Sequence, residues 1–411
     1  MFDYNAAYSL LLKYRQEHLL RFYNNLNIEE RELLLNQIES IDFSILENLK
    51  YKDTKLQINT TNIKPISIIT IDDINNRKSD YLSIGIDALQ QGKIATVLLA
   101  GGQGTRLGFN KPKGMYNIGI TKELFIFECL INNLINNTKN ITKRVPLYIM
   151  TSKQNNLETI QFFKNHNFFN YGKENIRFFV QNMNPCTDFN GKLLMESKYK
   201  ITMSPNGNGG WFDSLIKADM LQELKDRNIE WLNVFSVDNV LQQIADPIFI
   251  GATIQSNAQM GSKVLAKNTP EENMGILCLN NNKPFIIEYY ELPDELRFAY
   301  NKHNELLYKY GVTLNYLFNI SNLEKLHYNT LPIHIVTKII PYIDINGELI
   351  YPNNPNGYKF ETLALDMVNL HDNCLAVEVI REKEFAPIKN LKGKDSVESA
   401  RQLLIKNNTS L

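Results

Sequence analysis

Four glycines lie within eight residues of the segment LLAGGQGTRLGFNKPKGMY, residues 98–116, and a proline flanked by two lysines follows them. Glycine has no Cβ and tolerates positive φ, so successive main-chain N–H groups can converge on an anion. Arg106, Lys111 and Lys113 share the segment, and Pro112 stiffens the backbone between the two lysines. Because arginine binds phosphate oxygens bidentately and lysine adds a point charge, these residues predict a phosphate-binding loop.

The two common glycine signatures of nucleotide-binding loops do not fit this segment. A dinucleotide fingerprint needs a third glycine at position 107, which is Leu107, and a Walker loop needs lysine after Gly108, which Phe109 follows. A tight βα turn whose glycines serve packing alone is the structural alternative. The cations that share the segment favour phosphate binding over that alternative.

The elements around the loop predict where it lies. The run IATVLLAGG is continuously apolar and rich in β-branched residues, which is typical of a strand buried on both faces of a parallel sheet. Strand and helix patterns then alternate to about residue 325, which predicts a doubly wound α/β sheet over residues 93–325. Ligands bind at the carboxyl edge of such sheets, where the glycines follow their strand.

The flanking parts of the chain have different patterns. Residues 3–50 repeat apolar side chains at helical spacing, so we expect two or more amphipathic helices there. Residues 51–80 lack periodicity and indicate a connector, and a short helix is expected to end at Gly92. From about Leu331 the pattern changes to short strands and one helix.

Composition excludes several classes of protein. The chain has 411 residues, enough for two or three domains, and its 44 basic and 44 acidic residues cancel. That balance argues against nucleic acid or an anionic membrane as the main partner. Four cysteines without paired spacing argue against a disulfide framework or a zinc cluster. Without a signal peptide or an apolar run of about 18 residues, we expect a cytoplasmic protein.

The sequence LAGGQGTRLG, followed after two residues by KPKGMYNIG, closely resembles the signature of the eukaryotic UDP-N-acetylglucosamine (UDP-N-acetylhexosamine) pyrophosphorylase family. The resemblance covers roughly residues 85–405 and continues in order through FFVQNMNPC, GKLLMESKYKITMSPNGNGGWFDSL, VDNVLQQIADPIFIG, GSKVLAKNTPEENMGILC, IIEYYEL and VIREKEFAPIKN. It implies an α/β fold with a Rossmann-like, doubly wound mixed sheet of the nucleotide-sugar transferase type. A helical N-terminal extension (residues 1–84), a catalytic domain (85–330) and a small α+β C-terminal region contributing to the active site (331–411) complete the expected organisation.

The same resemblance implies the reaction. UTP and a hexosamine 1-phosphate would give a UDP-sugar and pyrophosphate in the presence of Mg²⁺, with Mn²⁺ as the alternative ion. The sugar phosphate would attack the α-phosphorus in line with the departing pyrophosphate. Such chemistry requires charge neutralisation and positioning rather than a covalent nucleophile.

Site residues follow from the positions that match the family motifs. The resemblance implies catalytic phosphate contacts at Arg106, Lys113 and Lys389, nucleotide contacts at Leu99, Ala100, Gly101, Gly102, Gln181, Gly207, Asp238 and Lys359, sugar contacts at Asn208, Gly275, Glu288 and Tyr289, and metal ligands at Asp238 and Asp366. The chemistry suits these roles, because an amide can donate to and accept from a pyrimidine edge and a strand-end aspartate suits Mg²⁺. Structural alternatives are a helix cap for Asp238, a solvated side chain for Lys113 and a polar strand end for Gln181.

Some positions depart from the family pattern. Asn182 stands where the family usually has glycine, and Val312 stands where it has the asparagine that bonds the amino sugar. Leu363 and Leu365 replace two phenylalanines before the late acid. The nucleotide half of the site therefore matches and the sugar half is altered. We expect UDP-N-acetylglucosamine as the product. The alternatives are N-acetylgalactosamine 1-phosphate or glucose 1-phosphate as substrate, and a UDP-sugar-binding protein without turnover.

Overall fold

A computed structural model describes residues 2–51, 58–326 and 331–411 of the chain. These residues form two compact units, each assembled from three stretches of chain. The first unit comprises residues 2–51, 182–210 and 331–363, and the second comprises residues 58–181, 211–326 and 364–411. The predicted boundaries at 84 and 330 divide the chain into contiguous parts, whereas these units interleave. A change of composition along the chain can mark only contiguous boundaries.

The α-helices of the described residues are, in chain order, α1 (Tyr4–Lys13), α2 (Ile28–Ser40), α3 (Ile71–Asn76), α4 (Lys78–Gln90), α5 (Ile126–Asn137), α6 (Asn156–Asn165), α7 (Trp211–Lys217), α8 (Met220–Asp226), α9 (Pro247–Gln255), α10 (Asp294–Arg297), α11 (Ile320–Leu326), α12 (Ala364–Asn369), α13 (Arg381–Glu384) and α14 (Val397–Lys406). Short 3₁₀ helices cover Glu17–Leu20, Tyr23–Asn25, Phe43–Tyr51, Thr60–Asn62, Thr105–Leu107, Lys113–Met115, Asn167–Asn170, Lys173–Asn175 and Asn208–Gly210. Within the described ranges, no helix is long and apolar enough to cross a membrane.

The strands of the described residues are β1 (Ile63–Pro65), β2 (Ile68–Ile69), β3 (Ile94–Leu99), β4 (Leu147–Thr151), β5 (Ile176–Val180), β6 (Met183–Pro185), β7 (Thr187–Asp188), β8 (Met195–Ser197), β9 (Lys200–Ile201), β10 (Met203–Pro205), β11 (Trp231–Ser236), β12 (Met260–Ala266), β13 (Ile276–Asn280), β14 (Lys283–Ile287), β15 (Tyr310–Asn319), β16 (His334–Lys338), β17 (Tyr342–Ile343), β18 (Leu349–Ile350), β19 (Gly357–Glu361) and β20 (Leu375–Glu378).

The second unit is built on a mixed sheet with the order β2-β20-β12-β15-β11-β3-β4-β5. Strands β11, β3, β4 and β5 run parallel, whereas β15 is antiparallel to both of its neighbours, β11 and β12. A hairpin of β13 and β14 joins the sheet through β15, and β1 pairs with β13. The predicted α/β class with a mixed, mostly parallel sheet is confirmed.

Strand β3 lies inside this sheet, and all six of its residues are buried. The register pairs Leu99 with Ser236 of β11 on one side and with Met150 of β4 on the other. On β4, Thr151 pairs in turn with Val180 of β5. Because the four parallel strands end level with one another, the residues that follow them emerge together at one edge.

Helices α4 and α9 pack very closely in the second unit. A Cβ added at Gly85 would lie 1.8 Å from the carbonyl oxygen of Pro247, and one added at Gly251 would lie 1.8 Å from that of Tyr81. Only glycine permits such an approach of two backbones. The core beside these helices includes Phe127, fully buried like most of its neighbours.

The first unit contains the predicted N-terminal helices, α1 and α2. Their buried residues, among them Leu11 and Leu34, form a core with Leu193 and with Ile201 of β9, which belong to the same unit. Asn27 caps the start of α2 with a capping box. Its side chain accepts from the N–H of Glu30, and the carboxylate of Glu30 accepts from the N–H of Asn27. A three-stranded sheet of β16, β19 and β7 completes this unit.

Two sequence expectations differ from the structure. Within the predicted connector, β1 pairs with β13 and β2 pairs with β20, and α3 and the start of α4 follow; residues 52–57 of that connector lie outside the described residues. In the C-terminal region the structure has three helices rather than one, and β20 pairs with β12 of the second unit. Two- and three-residue strands are too short to show a periodicity, and their pairing partners lie far away in sequence.

His371, which follows α12, provides a pH-dependent contribution to stability. It is buried, and that burial lowers the pKa of His371 from 6.5 to about 4, although its Nδ1 lies 2.8 Å from the carbonyl oxygen of Met367. Between about pH 6.5 and pH 4 the unfolded state therefore binds more protons, and the free energy of unfolding falls as the pH is lowered, by roughly 3 kcal/mol in total. Urea unfolding of wild type and His371→Gln at pH 7 and pH 5 checks this. The same pH dependence in both proteins would contradict it.

Candidate active site

The glycine loop connects β3 to the residues that follow it and folds back on itself. The N–H of Gly104 donates to the carbonyl of Lys111 at 2.9 Å, and that of Lys113 donates to the carbonyl of Gly102 at 3.2 Å. Gln103 and Pro112 face each other between these two bonds as an antiparallel bridge. Proline is tolerated there because this pair exchanges no ladder hydrogen bond. The loop is thus a fixed hairpin.

The first two glycines of the loop have different surroundings. A Cβ added at Gly101 would lie 2.4 Å from Oε1 of Gln181, whereas one added at Gly102 would meet no atom within 4 Å. Gly102 is exposed. Within the described part of the chain, the main-chain N–H groups of Gly101, Gly102 and Gln103 donate to no residue. The loop therefore presents a row of main-chain donors without a protein acceptor, with open space beside Gly102.

Asn155 orients these donors, and sequence reasoning missed it. Its buried Nδ2 donates to the carbonyls of Ala100 and Gly101 at 3.3 and 3.2 Å, while its Oδ1 accepts from the N–H of Ser152 at 2.7 Å. In a trans peptide the N–H points opposite to the C=O, so the amides of Gly101 and Gly102 point away from Asn155. The sequence signal that could have identified Asn155 is its place as a polar residue soon after β4, a buried strand that ends at the same sheet edge as β3.

Lys113 and Asp238 form an ion pair at this edge. Nζ of Lys113 lies 2.5 Å from Oδ1 of Asp238, two residues beyond the end of β11. The lysine side chain is 11% exposed and the carboxylate 39%. Oδ2 of Asp238 accepts from no side chain in the described ranges. The pair therefore orients a buried cation and leaves one carboxylate oxygen accessible.

The other two cations of the loop are placed differently. Arg106 and Lys111 are both exposed. The Nζ of Lys111 lies 3.9 Å from the carboxylate of Glu158, while Arg106 forms no ion pair with any described residue. Lys113 is thus buried and paired with Asp238, whereas Lys111 is exposed to solvent.

Lys389 belongs to a segment that runs beside the end of β11. The N–H of Ile388 donates to the carbonyl of Asp238 at 2.9 Å, and Pro387 bridges to Asn239. The Lys389 side chain is 42% exposed, and its Nζ lies 3.5 Å from Oδ2 of Asp395. The structure therefore brings the segment of Lys389 next to Asp238.

Gln181 follows β5 directly and is buried. Its N–H donates to the carbonyl of Thr151 at 2.8 Å, which continues the pairing of β4 and β5. Its side-chain oxygen occupies the space beside Gly101 that a Cβ would need. Leu99 and Ala100, the other predicted nucleotide contacts before the loop, are also buried.

The predicted sugar residues of the second unit lie together. Gly275 and Glu288 flank the paired ends of the β13–β14 hairpin, and a Cβ added at Gly275 would lie 3.5 Å from Oε2 of Glu288. The N–H of Val312 donates to the carbonyl of Gly275 at 2.9 Å. Tyr289 is partly exposed and lies edge-on to Tyr290 at 5.1 Å. Gly275, the Glu288 carboxylate and the main chain of Val312 thus lie close together.

Asp366 lies in α12 and is buried. Burial raises the pKa of Tyr316, and the nearby carboxylates of Glu288 and Asp366 raise it further. The same two carboxylates contribute, after burial, to the raised pKa of Tyr290. Asp366 and Glu288 therefore both lie near Tyr316 and Tyr290.

The remaining predicted residues lie in the first unit. Gly207 has a φ of +85°, and a Cβ there would lie 2.2 Å from the carbonyl oxygen of Thr362, so glycine is required on both counts. Asn208 begins the 3₁₀ turn that follows, and the N–H of Gly209 donates to the carbonyl of Thr362 at 2.9 Å. Lys359 is half-buried in β19, the strand that leads to Thr362. The glycine turn and the strand of Lys359 are thus packed together.

The acidic side chains of the site offer few ligands for a divalent cation. Mg²⁺ is commonly held by one or two carboxylates together with substrate phosphates and water, and Asp238 offers one accessible oxygen. In the described ranges no three His, Cys, Asp or Glu side chains form a group that could hold a metal ion. These residues fit a cation that shares its ligands with a bound phosphate chain, and they do not form an all-protein cage.

Comparison with known proteins identifies the family. The model of the UTP–glucose-1-phosphate uridylyltransferase family matches residues 42–409. The chain belongs to this uridylyltransferase family.

Relatives of this uridylyltransferase-family chain match along most of its length. It is 34% identical over 398 residues to UDP-N-acetylhexosamine pyrophosphorylase-like protein 1 of Mus musculus, covering 91% of this chain and 78% of the mouse protein. It is 33% identical over 430 residues to the UDP-N-acetylglucosamine pyrophosphorylase of Saccharomyces cerevisiae, covering 98% and 89%.

A solved structure has the same fold. The uridine diphosphate N-acetylglucosamine pyrophosphorylase from Trypanosoma brucei, in complex with an inhibitor, matches with a TM-score of 0.81 at 26% identity over 99% of this chain and 85% of that one. The recognition of a UDP-N-acetylhexosamine pyrophosphorylase-type sequence is confirmed. The roles of individual residues in this uridylyltransferase-family chain stay predictions.

Proposed function

We propose that this chain catalyses the formation of UDP-N-acetylglucosamine and pyrophosphate from UTP and N-acetylglucosamine 1-phosphate. The supporting observation is the Lys113–Asp238 ion pair, which lies at the sheet edge where the glycine loop presents available N–H groups. Family membership and the named relatives support the same reaction class.

In the proposed reaction the triphosphate of UTP lies against the loop. The amides of Gly101 and Gly102 donate to phosphate oxygens, and the ammonium of Lys113 neutralises charge on the departing pyrophosphate. Arg106, exposed at the mouth of the loop, supplies a second cation for the same oxygens. Gln181 offers both a donor and an acceptor to the uracil edge.

The sugar phosphate is activated by position rather than by a covalent step. Lys389 stabilises charge at the α-phosphorus and orients the attacking phosphate oxygen, which displaces pyrophosphate in line. The Glu288 carboxylate accepts hydrogen bonds from adjacent sugar hydroxyls, with Gly275 and Tyr289 beside it. Gly207, Asn208 and Lys359 of the first unit stay candidate nucleotide and sugar contacts.

Mg²⁺ is proposed as the cation of the site, with Asp238 as the residue that holds it and Asp366 as a second candidate ligand. When bound, Mg²⁺ neutralises phosphate charge that the lysines alone leave uncompensated. Asp238 is suited to this because one of its oxygens is already fixed by Lys113 while the other is accessible.

A second candidate substrate follows from Val312. Its side chain cannot donate to or accept from an acetamido group, and its main-chain N–H donates to the carbonyl of Gly275. The leucines at 363 and 365 are apolar but differ in shape from the phenylalanines of the family pattern. These features favour testing N-acetylgalactosamine 1-phosphate and glucose 1-phosphate with the same chemistry.

A pyrophosphate-release assay with UTP, Mg²⁺ and each of the three sugar 1-phosphates tests the proposal. We expect release with N-acetylglucosamine 1-phosphate at a kcat/KM at least tenfold above that with glucose 1-phosphate. A preference for glucose 1-phosphate would overturn the sugar assignment. Release with none of the three, from protein that binds UDP-N-acetylglucosamine, would overturn the proposed turnover in favour of a binding protein.

The cytosol is the proposed location. The four cysteines are all free in the structure, which suits a reducing compartment. UTP and a hexosamine 1-phosphate are the proposed partners, without nucleic acid or membrane.

A further inference from the structure

The side chain of Asn239 connects two segments that carry proposed site residues. Asn239 follows Asp238 directly and is 3% exposed. Resting on the function proposed above, we propose that Asn239 is a positioning residue of the transfer reaction, which fixes the segment carrying Lys389 against the strand end carrying Asp238.

Both ends of the Asn239 amide bond to the segment of Lys389. Nδ2 donates to the carbonyl of Glu384 at 2.7 Å, and Oδ1 accepts from the N–H of Ala386 at 2.8 Å. Only an amide side chain of this length presents a donor and an acceptor side by side. Because the side chain is buried, water cannot replace either bond without a rearrangement, so the pair specifies one position of the segment.

The backbone continues this connection. The N–H of Val240 donates to the carbonyl of Ala386 at 3.3 Å, and the N–H of Ile388 donates to that of Asp238 at 2.9 Å. Pro387 faces Asn239 between these bonds, at a pair that exchanges no ladder hydrogen bond. Residues 386–388 therefore form a short antiparallel pairing with residues 238–240, and Lys389 is the next residue.

The other end of the segment is also fixed. The carboxylate of Glu384 lies 2.6 Å from the Nζ of Lys263, which is 1% exposed and also lies 2.8 Å from Asp246. Glu384 is thus held by its side chain through Lys263 and by its carbonyl through Asn239. Without the Asn239 side chain, the segment would keep two backbone bonds to the strand end, and the N–H of Lys389 would keep its bond to the carbonyl of Asp395 at 2.7 Å.

This arrangement determines the spacing of the proposed cations. Lys113 forms an ion pair with the side chain of Asp238. Lys389 directly follows a segment that is hydrogen-bonded to the main chain of Asp238 and to the side chain of Asn239. One lysine is proposed to act on the departing pyrophosphate and the other at the α-phosphorus. Displacing Lys389 by about 1 Å would lower the rate of the chemical step, since in-line transfer depends on such alignment.

A double-mutant cycle tests the proposal. We expect Asn239→Ala to lower kcat at least tenfold and to change the KM for UTP less than threefold, because the misplaced lysine acts in the transition state. In the Lys389→Ala background the same replacement is expected to lower kcat less than threefold, since the group it positions is already gone. A residue that serves only folding would lower kcat by the same factor in both backgrounds.

Asn133→Ala is the matched control. Asn133 donates to the carbonyls of Val240 and Gln242 at 2.9 and 3.2 Å, so its removal loosens the same loop without touching the segment of Lys389. We expect it to keep kcat within threefold of wild type. If Asn239→Ala does not fold, Asn239→Asp, which keeps the acceptor for the N–H of Ala386, carries the same cycle.

The outcomes distinguish this proposal from the proposed function. Equal losses of kcat from Asn239→Ala in the two backgrounds, or a wild-type kcat in that variant, would overturn the positioning role and leave the transferase activity standing. An inactive wild-type chain would overturn the proposed function and this inference with it.

Discussion

Lys113→Ala is expected to lower kcat for UDP-sugar formation about 100-fold, by analogy with the loss of one charge-stabilising donor in other active sites. The reason is the place of this lysine. It is nearly buried, fixed by Asp238, and next to the available amides of the glycine loop. Its charge matters most when the departing pyrophosphate gains negative charge, so kcat should fall more than the KM for UTP rises. Steady-state kinetics with UTP and N-acetylglucosamine 1-phosphate measure both quantities.

Lys111→Ala is the matched control for this prediction. Lys111 belongs to the same motif and carries the same charge, but it is exposed and lies 3.9 Å from Glu158. A solvent-screened charge at this position should change kcat less than threefold. Equal losses of kcat in the two variants would show that the motif acts by net charge alone. Unchanged turnover in Lys113→Ala would remove the role proposed for that residue.

Gly102→Ala is expected to weaken UTP binding at least tenfold while leaving the fold intact. A Cβ at this position meets no atom within 4 Å, and the backbone there has no positive φ that would strain alanine. The methyl group would instead occupy space that the proposed triphosphate needs next to the main chain. A tenfold loss corresponds to about 1.4 kcal/mol of binding free energy. Calorimetric titration with UTP gives the affinity, and a thermal melt gives the stability.

Uridine is the control ligand for the Gly102 variant. It has no phosphate, so its affinity should be the same for wild type and Gly102→Ala. Gly101→Ala should differ, because its Cβ would displace the side-chain oxygen of Gln181, which lies 2.4 Å away. We therefore expect Gly101→Ala to weaken the binding of both UTP and uridine. An unchanged UTP affinity in Gly102→Ala would mean that the phosphates do not approach the loop.

The sequence predicted the parts of this site that depend on local pattern. Strand β3 is a continuous apolar run followed by glycines. Such a run predicts a buried strand, because a strand buried on both faces needs apolar side chains at every position. The following strands could be recognised for the same reason. From parallel strands alone it follows that Asp238, Gln181 and the glycine loop emerge at one edge.

The sequence could not distinguish residues whose roles depend on distant contacts. Lys111 and Lys113 are equivalent as residue types; the family motif selected Lys113, and the approach of Asp238 from β11 supplies the physical reason. Asn155 and Asn239 each bond to main-chain groups of another segment, which no spacing reveals. Asparagine is abundant in this chain, so its presence alone carried no signal. A two-residue strand such as β2 has no sequence pattern of its own and can be recognised only from its pairing with β20.

The most direct measurement is a crystal structure of the chain with bound UTP. We predict that phosphate oxygens lie within hydrogen-bonding distance of the main-chain nitrogens of Gly101 and Gly102 and of the Nζ of Lys113. Phosphates bound elsewhere, with those amides still facing empty space and Lys113 bonded only to Asp238, would contradict the proposed site.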